Sequence, residues 1–223
     1  MPSAKIASAA NHMLIYCIRH GESCYNAEGR LQGQSDTPLS ELGLRQAAAI
    51  AVALGNQPIR ALFASPLPRA RQSAEPLAEA LGVPVTADPR LMEIHVGIFQ
   101  DLLHQEIPDR YPAETAAWRS SDPDYRIPGG ESRHDLMVRA RAAFEAIRAT
   151  EHEQVAIVSH GGLLASAFKA LLEVPARRNP FPLYNASISQ LVWKNEPKIL
   201  TLNDVEHLRA AGCELLSTRA EFF

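Results

Sequence analysis

Cysteine is scarce in this 223-residue chain, with Cys17, Cys24 and Cys213 its only three. Their odd number and the lack of any CxxC spacing argue against a disulfide framework and against a zinc site, and fit a reducing, cytoplasmic setting. Long apolar runs are missing as well. No stretch approaches the roughly 18 residues of a membrane span, so no membrane partner is expected. Residues 1–12 have no apolar core of the kind a signal peptide carries and read as a frayed N-terminal extension. An excess of basic residues is also lacking. Lys+Arg number 22 against 25 Asp+Glu, a net charge of −3 with a pI near 6.2, which argues against a nucleic-acid binder. Any anion site must therefore be local. The chain has no internal repeat, no low-complexity tract, no GxSxG elbow and no GxxxxGK[ST] loop, which leaves the serine-hydrolase and P-loop readings without support. His152-Glu153 lacks the second histidine of an HExxH zinc site, and no ligand set surrounds His134-Asp135.

What the chain does have is enough apolar sequence for a substantial core. With 46% hydrophobic and 21% charged residues, one α/β domain over residues 13–223, carrying a small inserted subdomain, is expected. The run Met13–Ile18 reads as a buried strand that ends abruptly in Arg19-His20-Gly21-Glu22. Ser40 caps an amphipathic helix reaching Leu54, where Gly55 stops it. Residues 60–64 predict a strand, and Ser65-Pro66 predicts an N-cap with proline at the first helical position of a helix running to Leu81. Residues 84–87 and 90–94 read as short strands. Prolines and glycines break residues 101–130 into short helical pieces, the pattern of a cap over a site. Helical spacing of Leu136, Ala140, Ala143, Phe144 and Ile147 marks residues 131–150, followed by a strand ending at Ser159-His160-Gly161 and a helix over 162–173. Residues 187–193 and 199–202 read as edge strands joined around Asn195-Glu196-Pro197. Repeated strand-then-helix order predicts a mainly parallel sheet with helices on both faces.

His20, the Ser65-to-Arg69 turn and His160 each follow a predicted strand, and Glu93 lies in a strand-like stretch. All of them can converge on the carboxyl rim of the sheet, where open α/β folds bind ligands. Two histidines, two or three arginines and one carboxylate suit a phosphate monoester. Guanidinium forks match phosphate oxygens, and a neutral imidazole nitrogen can attack phosphorus in line. That set needs no metal and no organic cofactor. Arg71, two residues past Arg69, falls on another helix face and is expected to be solvated or ion-paired. His95 and His104 flank the pocket as packing or substrate-contact residues.

The chain resembles the histidine phosphatase superfamily, also called phosphoglycerate-mutase-like, through Arg19-His20-Gly21-Glu22-Ser23, Asn26, Arg30, Gln32-Gly33, Asp36, Pro38-Leu39-Ser40, Gly43, the run Ser65 to Glu75, Glu93-Ile94, Gly129-Gly130-Glu131-Ser132 and Ser159-His160-Gly161-Gly162. The resemblance implies a three-layer α/β/α sandwich. It implies His20 as nucleophile, Arg19, Arg69 and a cationic His160 as phosphate clamps, and Glu93 as proton donor, with Ser23, Asn26, Gln32, Gly33 and the amide of Gly161 as further phosphate contacts. One departure stands out: Gly97-Ile98-Phe99-Gln100-Asp101 occupies the place where the family commonly has Trp-Glu-Gly, which puts the local loop shape in question. The short segment between Glu93 and His160 is similar to the phosphatase branch. The expected activity is metal-independent hydrolysis of a small phosphorylated metabolite through a phosphohistidine. A cofactor-dependent phosphoglycerate mutase, a dedicated phosphoserine or α-ribazole phosphatase, and a silent anion-binding module are the alternatives; a homodimer is left open.

Overall fold

A computed structural model describes residues 12–120, 122–174 and 180–213. The predicted N-terminal extension, apart from His12, and the tail after Cys213 lie outside the described residues. Strands β1 (Met13–Arg19), β2 (Ala61–Ala64), β3 (Val85–Ala87), β4 (Gln154–Ser159), β5 (Ile188–Trp193) and β6 (Pro197–Asp204) form one sheet in the order β3-β2-β4-β1-β5-β6. The pairs β2–β3, β2–β4 and β1–β4 are parallel, while β1–β5 and β5–β6 are antiparallel. The helices are α1 (Cys24–Glu28), α2 (Glu41–Leu54), α3 (Pro68–Leu81), α4 (Ile107–Arg110), α5 (Pro112–Arg119), α6 (Arg133–Arg148), α7 (Gly161–Leu171) and α8 (Glu206–Ala210).

Alternation along the central strands sorts side chains into two cores, because successive residues of a strand face opposite ways. Ile15 and Cys17 of β1 and Val155 and Ile157 of β4 join Phe144 of α6 and Phe168 of α7 on one face. Tyr16 and Ile18, with Ala156 and Val158, join Ile50 of α2 and Leu77 of α3 on the other. Both faces of the parallel strands are thereby covered, which is why these runs are apolar throughout. The result is the three-layer α/β/α arrangement. Helices α4 and α5, within residues 101–130, pack on the α6–α7 side through Ile107 and Trp118, as does Ile127 in the loop after them.

Three readings of local structure are corrected. Helix α3 starts at Pro68 with Leu67 at its N-cap, not at Ser65-Pro66; the Ser65 hydroxyl instead lies against a histidine ring. Residues 90–94 form no strand: Pro89–Leu91 is a 3₁₀ turn capped by Asp88, whose side chain accepts from the Arg90 amide. Proline at its start supplies no ladder donor, so the turn prevails over strand pairing. Finally, β5 is an interior strand between β1 and β6, and only β6 and β3 are edges.

Candidate functional site

Parallel register builds the site. Arg19 pairs with Ser159 across β1 and β4, and Ala64 pairs with Val158 across β2 and β4. The residues that follow β1 and β4, His20 and His160, then leave the sheet at one level, and Ser65 leaves β2 one residue earlier, level with Ser159, on strands about 4.8 Å apart. The His20 and His160 ring centroids lie 5.0 Å apart with their planes at 60°, and His160 Nε2 is 2.8 Å from Ser65 Oγ. The Ser65 oxygen also accepts from the Leu67 amide at 3.3 Å.

His20 is held from several sides. Its Nδ1 lies 2.6 Å from the Gly21 carbonyl oxygen; a carbonyl only accepts, so Nδ1 carries the proton and Nε2 keeps its lone pair. The Gly21 amide donates to Ser73 Oγ at 2.9 Å. Asn185 Nδ2 donates to the His20 and Gly21 carbonyls at 3.2 and 3.3 Å and to Asn26 Oδ1 at 3.1 Å. Glu22, buried behind this turn, accepts from Ser40 Oγ at 2.6 Å, and its amide donates to Gln46 Oε1 at 2.8 Å. Helix α2 approaches so closely that a Cβ on Gly43 would stand 1.9 Å from the Glu22 carbonyl oxygen. Glycine is the residue that lets α2 fix the turn.

The two arginines arrive from different elements. Arg19 Nη1 donates to the Leu183 carbonyl at 2.5 Å, and its guanidinium lies against Gly161, whose added Cβ would be 3.4 Å from Arg19 Nε. Arg69, in the first turn of α3 and 1% exposed, donates through Nη1 to the Ser35 carbonyl at 2.9 Å and through Nη2 to the Gly33 carbonyl at 2.8 Å. Its buried Nε has no hydrogen-bond partner among the described residues. Gly33 thus anchors Arg69 by its carbonyl. Ser23, Asn26 and Gln32 stand together: Ser23 Oγ lies 2.7 Å from Gln32 Oε1 and accepts from the Asn26 amide at 3.1 Å, closing a capping box on α1. Glu93 is held by amides, Oε2 accepting from Gly162 at 3.0 Å and Oε1 from Ile94 at 2.9 Å. Its carbonyl accepts from Gln34 Nε2 and Arg139 Nη2, and Arg139 pairs with half-buried Glu131 at 2.8 Å.

Burial and charge decide the protonation of the histidines. Burial first, then Arg69 and Arg19, hold the His20 ring well below the usual histidine range, against a smaller opposing pull from the Gly21 carbonyl. His160 is likewise held well down by burial, then by Arg69, His20, Arg19 and Arg139. The sequence expectation is a cationic His160; burial and the neighbouring cations favour its neutral form in this cleft. Its buried Nδ1 has no hydrogen-bond partner among the described residues. Both arginines are brought down to about 10 by burial, with Glu93 pulling each the other way, so both stay charged at neutral pH. Two cations, one carboxylate and two neutral imidazoles make a positive cleft.

Sequence reasoning brought His20, Arg19, Arg69, Glu93 and His160 to one place, with the Ser65-to-Arg69 turn beside them, but gave Ser65 no role of its own and missed Asn185, Ser73 and Arg139. The signal for Ser65 was its position directly after β2, at the rim that carries both histidines. Arg71 pairs with exposed Glu75 at 3.7 Å, away from the cleft, as expected. His95 Nδ1 accepts from the Gly97 amide at 3.1 Å and braces its own turn. The departing loop ties itself to the segment that anchors Arg69. Asp101, at φ 68°, accepts from Ser35 Oγ, and Gln100 Oε1 accepts from the Gln34 amide at 3.3 Å. His134 Nδ1 meets Asp124 at 2.7 Å on the surface, and no cluster of three or more metal-ligating side chains occurs among the described residues. No helix among them is long and apolar enough to cross a membrane.

Comparison with known proteins gives the family and the fold. The profile of the histidine phosphatase superfamily (branch 1) matches residues 15–205. Glucosyl-3-phosphoglycerate phosphatase of Mycobacterium tuberculosis is 40% identical over 185 residues, covering 78% of this chain and 82% of that protein. A Proteus mirabilis protein named as a probable phosphoglycerate mutase, GpmB, is 38% identical over 206 residues, covering 87% and 94%. Among solved structures, the native mycobacterial glucosyl-3-phosphoglycerate phosphatase superposes with a TM-score of 0.78 at 35% identity over 87% of this chain and 100% of that one. YhfR of Bacillus stearothermophilus gives 0.81 at 30% identity over 88% and 99%. The chain belongs to the histidine phosphatase superfamily.

Proposed function

We propose that this chain is a metal-independent phosphomonoesterase that passes the phosphoryl group of a small phosphorylated metabolite through His20 Nε2. The observation that carries the reading is the His20 ring itself, neutral, with its Nδ1 proton committed to the Gly21 carbonyl and its ring centroid 5.0 Å from that of His160. Attack forms the N–P bond as the ester P–O bond breaks. Arg19, Arg69, His160 Nδ1 and the Gly161 amide stabilise the equatorial oxygens, a preorganised arrangement that supplies the largest share of such catalysis. Ser23, Asn26 and Gln32 complete the wall, and Gly33 acts through Arg69. Glu93 protonates the departing alkoxide, using a proton brought by the substrate monoanion. Water then attacks the phosphohistidine, Glu93 takes its proton, and the P–N bond breaks to restore His20. The 101–130 insertion serves as the cap, and three free thiols suit a cytoplasmic enzyme.

The experiment is phosphate release from an aryl phosphate by the wild type and by His20→Ala, with acid-labile adduct trapping and with a chelator present. Loss of turnover and of adduct in the variant, with wild-type turnover indifferent to chelator, is expected; chelator-sensitive turnover refutes the reading. The name of the Proteus mirabilis relative favours a second reading, interconversion of 2- and 3-phosphoglycerate stimulated by 2,3-bisphosphoglycerate. A coupled assay with no such interconversion eliminates it.

A further inference from the structure

The turn from Gly33 to Ser35 has different partners on its two sides. Toward the cleft, the Gly33 and Ser35 carbonyls accept from Arg69 Nη2 and Nη1 at 2.8 and 2.9 Å. Toward solvent, the Ser35 hydroxyl donates to Asp101 Oδ1, and the Gln34 amide donates to Gln100 Oε1 at 3.3 Å. One short segment therefore joins a buried guanidinium to an exposed carboxylate.

The loop that carries this carboxylate is fixed from behind. Phe99 is fully buried in the core on the α6–α7 side. The Asp101 amide donates to the Leu31 carbonyl and the Leu31 amide to the Leu102 carbonyl, both at 2.9 Å, and Arg30 Nη1 donates to the Asp101 carbonyl at 3.0 Å. Loop and turn lie close together: a Cβ on Gly33 would stand 2.6 Å from Val96 Cγ2 and 3.0 Å from Gln100 Oε1. Asp101 has φ 68°, the left-handed region that suits glycine and strains other residues. An exposed residue with no core to fill holds that conformation while its carboxylate holds Ser35.

What this tie controls is direction. A guanidinium donates within the plane of its fork. The two carbonyls that take Nη1 and Nη2 set that plane, and the remaining N–H groups, among them Nε with no partner among the described residues, are left for an ester oxygen. Arg69 is buried, so water does not stand in for a carbonyl that moves away. A Ser35 carbonyl that shifts carries the fork with it.

We propose that Asp101 is a positioning residue of the cleft: by holding Ser35 Oγ it fixes the Gly33 and Ser35 carbonyls, and with them the angle at which Arg69 meets the phosphoryl group. The role of Arg69 is taken from the phosphomonoesterase reading above, on which this inference rests. Gln34 Nε2 also reaches the Glu93 carbonyl, but Arg139 Nη2 shares that oxygen, and the Glu93 carboxylate is mounted separately on the Gly162 and Ile94 amides. Loss of the tie therefore weakens the hold on phosphate and leaves protonation of the leaving group alone.

The test compares wild type with Asp101→Gly, Asp101→Asn, Ser35→Ala and the double variant Ser35→Ala/Asp101→Gly. Each is read by calorimetric titration of vanadate, by kcat/KM for p-nitrophenyl phosphate and for an alkyl phosphate, and by melting temperature. Glycine relaxes the left-handed backbone, so Asp101→Gly melts within a few degrees of wild type. It binds vanadate about tenfold more weakly and loses about tenfold in kcat/KM for both esters alike, the scale of one hydrogen bond to a charged group. Asparagine tolerates the same backbone and offers an amide oxygen, so Asp101→Asn restores both readings. Ser35→Ala reproduces the glycine loss, and the double variant loses no more than either single one, because both remove the same tie. If the glycine variant melts early, Ser35→Ala decides by the same measurements. Wild-type vanadate affinity in Asp101→Gly or Ser35→Ala, a loss that asparagine does not restore, losses that add in the double variant, or a loss confined to the alkyl phosphate overturns the positioning role. If the vanadate pattern holds while no protein, wild type included, releases phosphate from any ester, the positioning role stands and the phosphomonoesterase reading falls.

Discussion

Gly162→Ala separates the chemistry of Glu93 from the stability of the fold. Gly162 lies in the first turn of α7, and a Cβ there would stand 2.5 Å from Glu93 Oε1 and 3.2 Å from Oε2. Ordinary contact begins near 3.4 Å, so the carboxylate must retreat by about an ångström, a distance set by close packing. The obstructing atom is the end of a flexible side chain, so the move costs the fold little, and alanine in a helix offsets it by up to about 1 kcal/mol relative to glycine. An acid displaced by that much loses about 100-fold in rate. The expected result is a melting temperature within a few degrees of wild type and a fall of about two decades in kcat/KM for an alkyl phosphate, whose leaving group needs a proton. The first equivalent of p-nitrophenol from p-nitrophenyl phosphate, a leaving group that departs as the anion, should appear at nearly the wild-type rate. Stopped-flow measurement reads that phase. An unchanged alkyl phosphate rate, or the same loss for both substrates in the first turnover, refutes Glu93 as the proton donor.

Three further outcomes follow from the same geometry. Buried, neutral His20 and His160 make stability depend on acid: the unfolded histidines bind protons below about pH 6.5 and the folded ones do not. Unfolding free energy is therefore flat above that pH and declines below it by up to about 1.4 kcal/mol per pH unit for each. Urea titrations of wild type and His160→Gln should differ in slope by one such contribution, and parallel curves would contradict the neutral assignment. Ser65→Ala removes the partner of His160 Nε2 and should lower kcat about tenfold with little change in KM, since it frees the ring without touching the arginines; steady-state kinetics on the purified variant decide. Asn185→Ala removes one of two donors from each of the His20 and Gly21 carbonyls, the Ala186 amide and His20 Nδ1 remaining, a loss of about 0.5–1.5 kcal/mol, visible in denaturant unfolding along with a slower rate of adduct formation.

Legibility in the sequence tracked how local each cause was. Apolar runs ending in His20 and His160 disclosed two central strands, because burial on both faces leaves no polar position inside them. Ser65 was misread because proline after serine is also an N-cap signature. The β2–β4 register, which no local pattern encodes, carries Ser65 to a histidine 95 positions away. Residues 90–94 have strand-like composition, yet the tether from Arg139 to the Arg90, Met92 and Glu93 carbonyls satisfies their backbone without a neighbouring strand. Asn185 carries no motif at all; its role exists only once β5 returns the chain beside β1.

His160 shows most plainly why charge could not be read from residue type. Beside two arginines and buried, a second cation-forming ring is driven neutral, so the cleft holds Arg19 and Arg69 against Glu93 and carries a net charge near +1. A phosphate dianion entering between the rings reverses the sign of the local potential: the arginines that now repel a proton on His160 become paired, and the dianion attracts one. The unpartnered Nδ1 is where that proton would be held against an equatorial oxygen. Substrate binding and His160 protonation should then be linked, and linkage demands that binding take up a proton. Calorimetric titration of vanadate in buffers of different ionisation enthalpy measures the number. Uptake approaching one proton in the wild type and lost in His160→Gln is the expected outcome, and no difference between the two proteins would remove His160 from the charge-stabilising set.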